Sequence, residues 1–140
     1  MISEETRNVA VLKEAYRLWH ETKGGSVDHW MDICADELTF GSLGQGVKAA
    51  PYMTLYDNKN KLGEYFHGLA REWEMIEFRT EHFVAQVDRV VMLGRCSWRC
   101  RRSNRTVWSP KADSFRMANG KIIEFFEYFD TAAMRDALQP

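Results

Sequence analysis

The chain has 140 residues, 45% of them hydrophobic and 13% aromatic, and a formal net charge of −1. That length fits one domain over residues 1–140 with room for a substantial core. The near-neutral charge leaves no global field to recruit nucleic acid, and the longest apolar runs are too short to cross a bilayer as a helix. The opening MISEETRN has acids and no apolar stretch, so no secretory signal is expected there. Three cysteines, Cys34, Cys96 and Cys100, cannot all pair internally and are read as reduced thiols of a cytoplasmic protein.

Ser3 is placed to cap a first helix, with Glu4 and Glu5 suited to its positive end. Val9, Leu12, Tyr16 and Trp19 then recur at helical spacing until Gly24-Gly25 ends the run. A second helix opens at Ser26 with Val27, Trp30, Met31 and Cys34 as its apolar face, and LTFGSL at 38–43 reads as a short strand. Residues 44–60 form a long loop rich in Gly and Pro, a length typical of lids and binding loops. Its Tyr52, Met53 and Tyr56 suit an apolar guest at the mouth of a pocket. A third helix carries Leu62, Phe66, Leu69, Ala70 and Trp73 on one stripe.

From residue 75 the pattern changes to strands at 75–87, 90–102, 106–118 and 121–129. Tight breaks at Val87-Asp88-Arg89, Ser103-Asn104-Arg105 and Asn119-Gly120 separate them. The last break, Asn-Gly, favours a type I′ hairpin turn because both central residues must reach positive φ. Thr131 is placed to cap a final helix ending at Leu138. Helices first and an antiparallel meander second make an α+β fold, with the helices covering one face of the sheet. The stretch RCSWRCRRSNR places Arg95, Arg99, Arg101, Arg102 and Arg105 beside Trp98 and Trp108. It can be read as a nucleic-acid-binding strand or as a hairpin with a solvated, acid-paired face. The second is preferred, because no other basic patch supports the first.

The order of elements, with WMDICADELTF, KLGEYFHGLAREW, VVMLGR and NGKIIEFFEYFDTAAM, resembles the SnoaL-like branch of the nuclear transport factor 2-like superfamily. The resemblance implies a cone-shaped α+β barrel, in which N-terminal helices close the concave face of a curved, mostly antiparallel sheet around an apolar pocket. Laid on that pattern, the last strand turns Phe125, Glu127 and Phe129 inward and Phe126 and Tyr128 outward, since residues two apart share a face. The alternative leaves Glu127 as an edge acid on a solvated face.

Within the resemblance, Asp113 falls where ketosteroid isomerases carry the protonated aspartate of their oxyanion hole, and Tyr16 falls near their oxyanion tyrosine. Their general base would fall at Ser42, which cannot shuttle a proton unaided. Limonene epoxide hydrolase gives a mirrored result. Its arginine matches Arg95 and one of its carboxylates matches Glu127, but Ser97 replaces the other carboxylate, and Phe40 and Ser42 replace its water-positioning residues.

What remains is Arg95, Asp113 and Glu127 on adjacent strands, with Tyr16, Trp19, His20, Phe40 and Ser42 around them as candidate ligand contacts. Two readings stay open: a pair of acids split into base and acid by their surroundings, or a buried ion-pair network that holds the sheet. The first gives a cofactor-independent isomerase, cyclase, dehydratase or hydrolase acting on an apolar, polar-edged small molecule. The second gives a non-catalytic ligand-binding or dimerisation domain. No metal and no cofactor are expected, because Cys96 and Cys100 lie too far apart along a strand and no phosphate-binding loop is present. Trp98, Trp108, Phe126 and Tyr128 are expected on the convex face as a homodimer interface.

Overall fold

The computed structural model describes residues 1–140. Helix α1 (Glu4–Glu21) begins where the Ser3 side chain accepts the Thr6 N–H, and it buries Leu12, Ala15, Tyr16 and Trp19 along one stripe. Helix α2 (Val27–Ile33) is short and buries Trp30. Strand β1 (Cys34–Ser42) follows directly, starting four residues before the expected 38 because Cys34 leaves the helical face for the strand. Helix α3 (Lys59–Glu72) is capped by Asn58. It stops one residue short of Trp73, which is extended and opens β2 (Trp73–Gln86). Strands β3 (Arg89–Cys100), β4 (Thr106–Ala118) and β5 (Lys121–Tyr128) complete the meander. Helix α4 (Thr131–Leu138) closes the chain; its cap is Asp130, whose carboxylate accepts the Ala133 N–H, and Thr131 is its first helical residue.

The strands form one sheet in the order β1-β5-β4-β3-β2, with β1 parallel to β5 and every other pair antiparallel. Register shifts interrupt β2 against β3, β4 against β5 and β1 against β5; such bulges add twist and bend the sheet. At the β2 irregularity the Arg79 carbonyl lies so close to Gly94 that a Cβ there would collide with it. The Asn119-Gly120 turn has positive φ at both residues, as a type I′ hairpin requires.

Alternation sorts the strand residues onto two faces. Val90, Met92, Cys96, Trp98 and Cys100 of β3, and Val107, Ser109, Lys111, Asp113, Phe115 and Met117 of β4, point to the concave side. Helices α1, α2 and α3 lie over that side and bury a single aromatic-rich core against it. The fold is thus the curved α+β architecture expected from the sequence, with one displacement. Trp98 belongs to the concave face and packs against Trp19 with ring centroids 6.4 Å apart, so it is no part of the convex surface.

Candidate functional site

Three ionisable side chains converge in the middle of the concave face. Asp113 and Glu127 are direct cross-strand partners of β4 and β5, and Lys111 stands two residues before Asp113 on the same face. The Lys111 ammonium donates to Asp113 Oδ1 at 2.7 Å and to Glu127 Oε1 at 3.0 Å. Its side chain is only 9% exposed, and the two carboxylates are 3% and 4% exposed. Two tyrosines reach in from the helices: Tyr16 of α1 donates to Asp113 Oδ2 at 2.5 Å, and Tyr65 of α3 donates to Glu127 Oε1 at 2.9 Å. Both Asp113 oxygens therefore accept hydrogen bonds, and Glu127 Oε1 accepts two. Glu127 Oε2 is buried and has no partner.

The surroundings fix the protonation of most of this cluster. Burial raises Tyr16 well above the usual phenol range, and the charge of Asp113 adds to the effect. Burial and then Glu127 do the same to Tyr65, so both hydroxyls stay protonated donors. Burial alone would lower Lys111, but the two carboxylates outweigh it and keep the ammonium charged. Asp113 is pushed up by burial; Lys111 opposes the rise and the charge of Glu127 adds to it.

Two small chambers meet at this cluster, sharing Trp19, Tyr65, Phe78, Lys111 and Glu127 in their walls. The first, about 80 Å³, is completed by residues that include Met53, Trp98, Phe129 and Met134. The second, about 50 Å³, reaches Tyr16, Trp30, Phe40, Asp113 and Phe125. Phe40 and Phe125 stack in its wall with centroids 4.3 Å apart.

The structure thus brings together Glu127, Asp113, Tyr16, Trp19, Phe40, Met53, Phe125 and Phe129 of the residues expected from the sequence. It separates the others. Arg95 lies on the convex face, 43% exposed, paired with Glu81 at 3.1 Å and with its guanidinium over the Trp108 ring. The cation between the two acids is Lys111, not Arg95. Ser97 shares the Arg95 side and stands opposite Trp108. His20 is exposed on an outer groove between α1 and β2.

Ser42 is buried, but its hydroxyl accepts the Gly44 N–H and so braces the start of the long loop. In that loop only Met53 reaches a chamber. The Tyr52 ring lies against Gly68, where a Cβ would collide with it, and its hydroxyl accepts from the Trp73 indole at 2.8 Å. Tyr56 donates to the Tyr52 carbonyl and is bridged to Phe40 through the backbone. The loop therefore packs down as a wall, with both tyrosines facing away from the chambers.

Lys111 and Tyr65 escaped the sequence reading of the site. Period-two alternation from Asp113 points straight to Lys111. Tyr65 is signalled by helical spacing, three residues after Leu62 and four before Leu69 on the buried stripe of α3.

The SnoaL-like domain model matches residues 12–125 of the chain. The chain belongs to the SnoaL-like domain family. No curated protein matches it in sequence. Among solved structures, an NTF2-like protein of unknown function from Burkholderia pseudomallei superposes with a TM-score of 0.83 at 17% identity, covering 96% of this chain and 98% of that one. TerC, co-crystallised with polyporic acid, gives 0.80 at 16% identity over 96% and 99% of the two chains. A proposed SnoaL-like polyketide cyclase from Jannaschia sp. CCS1 gives 0.75 at 20% identity over 100% and 99%. At these identities the SnoaL-like likeness establishes the fold and leaves the reaction to the site. No helix is long and apolar enough to cross a membrane. No group of three or more His, Cys, Asp and Glu side chains is arranged to hold a metal ion.

Proposed function

We propose that this SnoaL-like protein is a cofactor-independent acid–base enzyme acting on an apolar, polar-edged small molecule, with Glu127 moving the proton. One observation carries the reading: Glu127, which lines two aromatic chambers, has a buried carboxylate oxygen, Oε2, without a partner. A bare acceptor in such a place costs about 1–3 kcal/mol unless something occupies it, and a substrate proton is a fitting occupant. Lys111 and Tyr65 both grip Oε1, which fixes the carboxylate and leaves Oε2 as the basic atom.

An ammonium has three N–H donors, and Lys111 spends two on the acids. The third is available to an oxygen that gains negative charge as Glu127 removes a neighbouring proton, the arrangement an enolisable carbonyl needs. Asp113, held by Tyr16, anchors the ammonium. Isomerisation, cyclisation and dehydration all begin with such a step. The cyclase proposed for the Jannaschia protein and the polyporic acid in the TerC crystal support this class of substrate.

One observation favours the rival reading, a non-catalytic binding or dimerisation domain: chambers of about 80 and 50 Å³ fall well below the volume usual for drug-sized ligands. In either case the convex face, where Trp108 is 55% and Tyr128 45% exposed, suits an isologous homodimer. Sedimentation as a monomer at micromolar concentration would remove that part of the proposal. The three free buried thiols support a reducing, cytoplasmic setting.

The test of the enzyme reading is deuterium uptake at the α-carbon of acetophenone in D₂O, followed by NMR alongside the melting temperature. The protein should accelerate exchange over buffer. Glu127→Gln should lower that rate by about 10²–10⁴-fold with the fold intact. A Gln variant that melts several degrees lower yet exchanges at the parental rate would leave Glu127 a structural residue.

A further inference from the structure

The cluster contains one cation and two acids, and the walls of both chambers supply no second cation. Both oxygens of Asp113 accept donated hydrogens, and Lys111 is held charged by its partners. One ammonium thus faces two carboxyl groups in an apolar interior, where a hydrogen-bonding position left without a partner is costly. The unfilled position is localised: of the four carboxyl oxygens, Glu127 Oε2 alone lacks a donor.

The material around that oxygen is aromatic. Trp19, Tyr65, Trp73, Phe78, Trp98 and Phe129 line the first chamber. Ring faces attract cations, and one already sits against them: the Lys111 ammonium lies 5.8 Å from the Phe78 centroid. Size narrows the ligand further. An apolar cavity of roughly 150 Å³ takes up benzene, so chambers of about 80 and 50 Å³ set one ring as the upper size of a ligand.

We infer that the site recognises a one-ring amine in its ammonium form, the charged nitrogen donating to Glu127 Oε2 and lying among the ring faces, and that it excludes carboxylates. The inference rests on the same chambers as the proposed function: an ammonium on Oε2 occupies the atom that takes the substrate proton, so such an amine competes with substrate. An ammonium sets a positive charge beside the two acids and supplies the missing donor in one step. A neutral alcohol supplies the donor alone. A carboxylate supplies no donor to Oε2 and sets its charge against Glu127, and the one spare N–H of Lys111, an ammonium already shared between two acids, does not offset that.

Three probes of nearly equal shape test this by calorimetry and NMR: benzylamine (protonated at neutral pH), benzyl alcohol and benzoate. The expected order is benzylamine tightest, benzyl alcohol at least tenfold weaker, and benzoate without detectable binding at 10 mM. Glu127→Gln should bring benzylamine to within about threefold of benzyl alcohol, and the alcohol, which still fits, reports that the chambers are intact. If that variant fails to fold, Tyr65→Phe frees a second position on the carboxylate and should keep or strengthen the preference for benzylamine. Binding of benzoate as tight as benzylamine, equal affinity for amine and alcohol, or no binding by any of the three would overturn the inference. Because no turnover is read, the order can hold while the exchange assay fails, or fail while exchange stands.

Discussion

The two faces of the sheet use the same kinds of charged residue for different ends. On the convex side Arg95 meets Glu81, Arg99 meets Glu74, and Arg116 meets Asp88, all partly exposed. Water screens these pairs, and each is worth about 0–1 kcal/mol. On the concave side Lys111, Asp113 and Glu127 are almost wholly buried under aromatic rings. There the loss of one member strands the others, and every unfilled hydrogen-bonding position becomes a property of the cavity. Position across the strand, not residue type, decides which arrangement shapes a ligand site.

The largest effect expected from this contrast is at Lys111. Lys111→Met leaves two buried carboxylates facing each other and should cost about 3–5 kcal/mol in urea unfolding. Arg95→Met, on the other face of the same sheet, should cost no more than about 1 kcal/mol. Comparable losses at both sites would erase the distinction between the faces. Next come the tyrosines. Tyr16→Phe and Tyr65→Phe each remove a hydrogen bond to a carboxylate and should cost about 1.5–3 kcal/mol.

A subtler effect lies in pH. Burial holds Asp113 above the ordinary aspartate range, so its folded pKa exceeds its unfolded one. Its contribution to stability is then fully present below the ordinary value of ~3.9 and is lost as pH rises through the folded value. Unfolding midpoints measured from pH 4 to 7 should therefore fall for the parent protein relative to Asp113→Asn as pH increases. The opposite trend would mean that Lys111 and Tyr16 outweigh burial at Asp113.

Much of the fold could be read from apolar spacing and turn chemistry, because both act locally. Ser3, Asn119-Gly120 and the β-rich second half do in the structure what their residue types prefer. Alternation put Glu127 on one face with Phe125, and the likeness to the SnoaL-like pattern turned that face inward. The Arg95 assignment failed because it followed a likeness to another enzyme's arginine. The buried Val90, Met92, Cys96 and Cys100 put even-numbered β3 residues inside and Arg95 outside. Adjacent apolar residues at Val91 and Leu93 blurred that alternation. Tyr52 and Tyr56 were misplaced for a different reason: a loop has no period, and only its packing against Gly68 and Phe40 sets where its rings go.

The most direct test of the account is a pair of double-mutant cycles, Lys111→Met with Glu127→Gln and Arg95→Met with Glu127→Gln, each read by urea unfolding. A cation that governs the cavity must be energetically coupled to the carboxylate it holds. The account predicts a coupling of about 1–3 kcal/mol between Lys111 and Glu127, and additivity within about 0.5 kcal/mol for Arg95 and Glu127. Additivity at Lys111, or coupling of that size at Arg95, would contradict it.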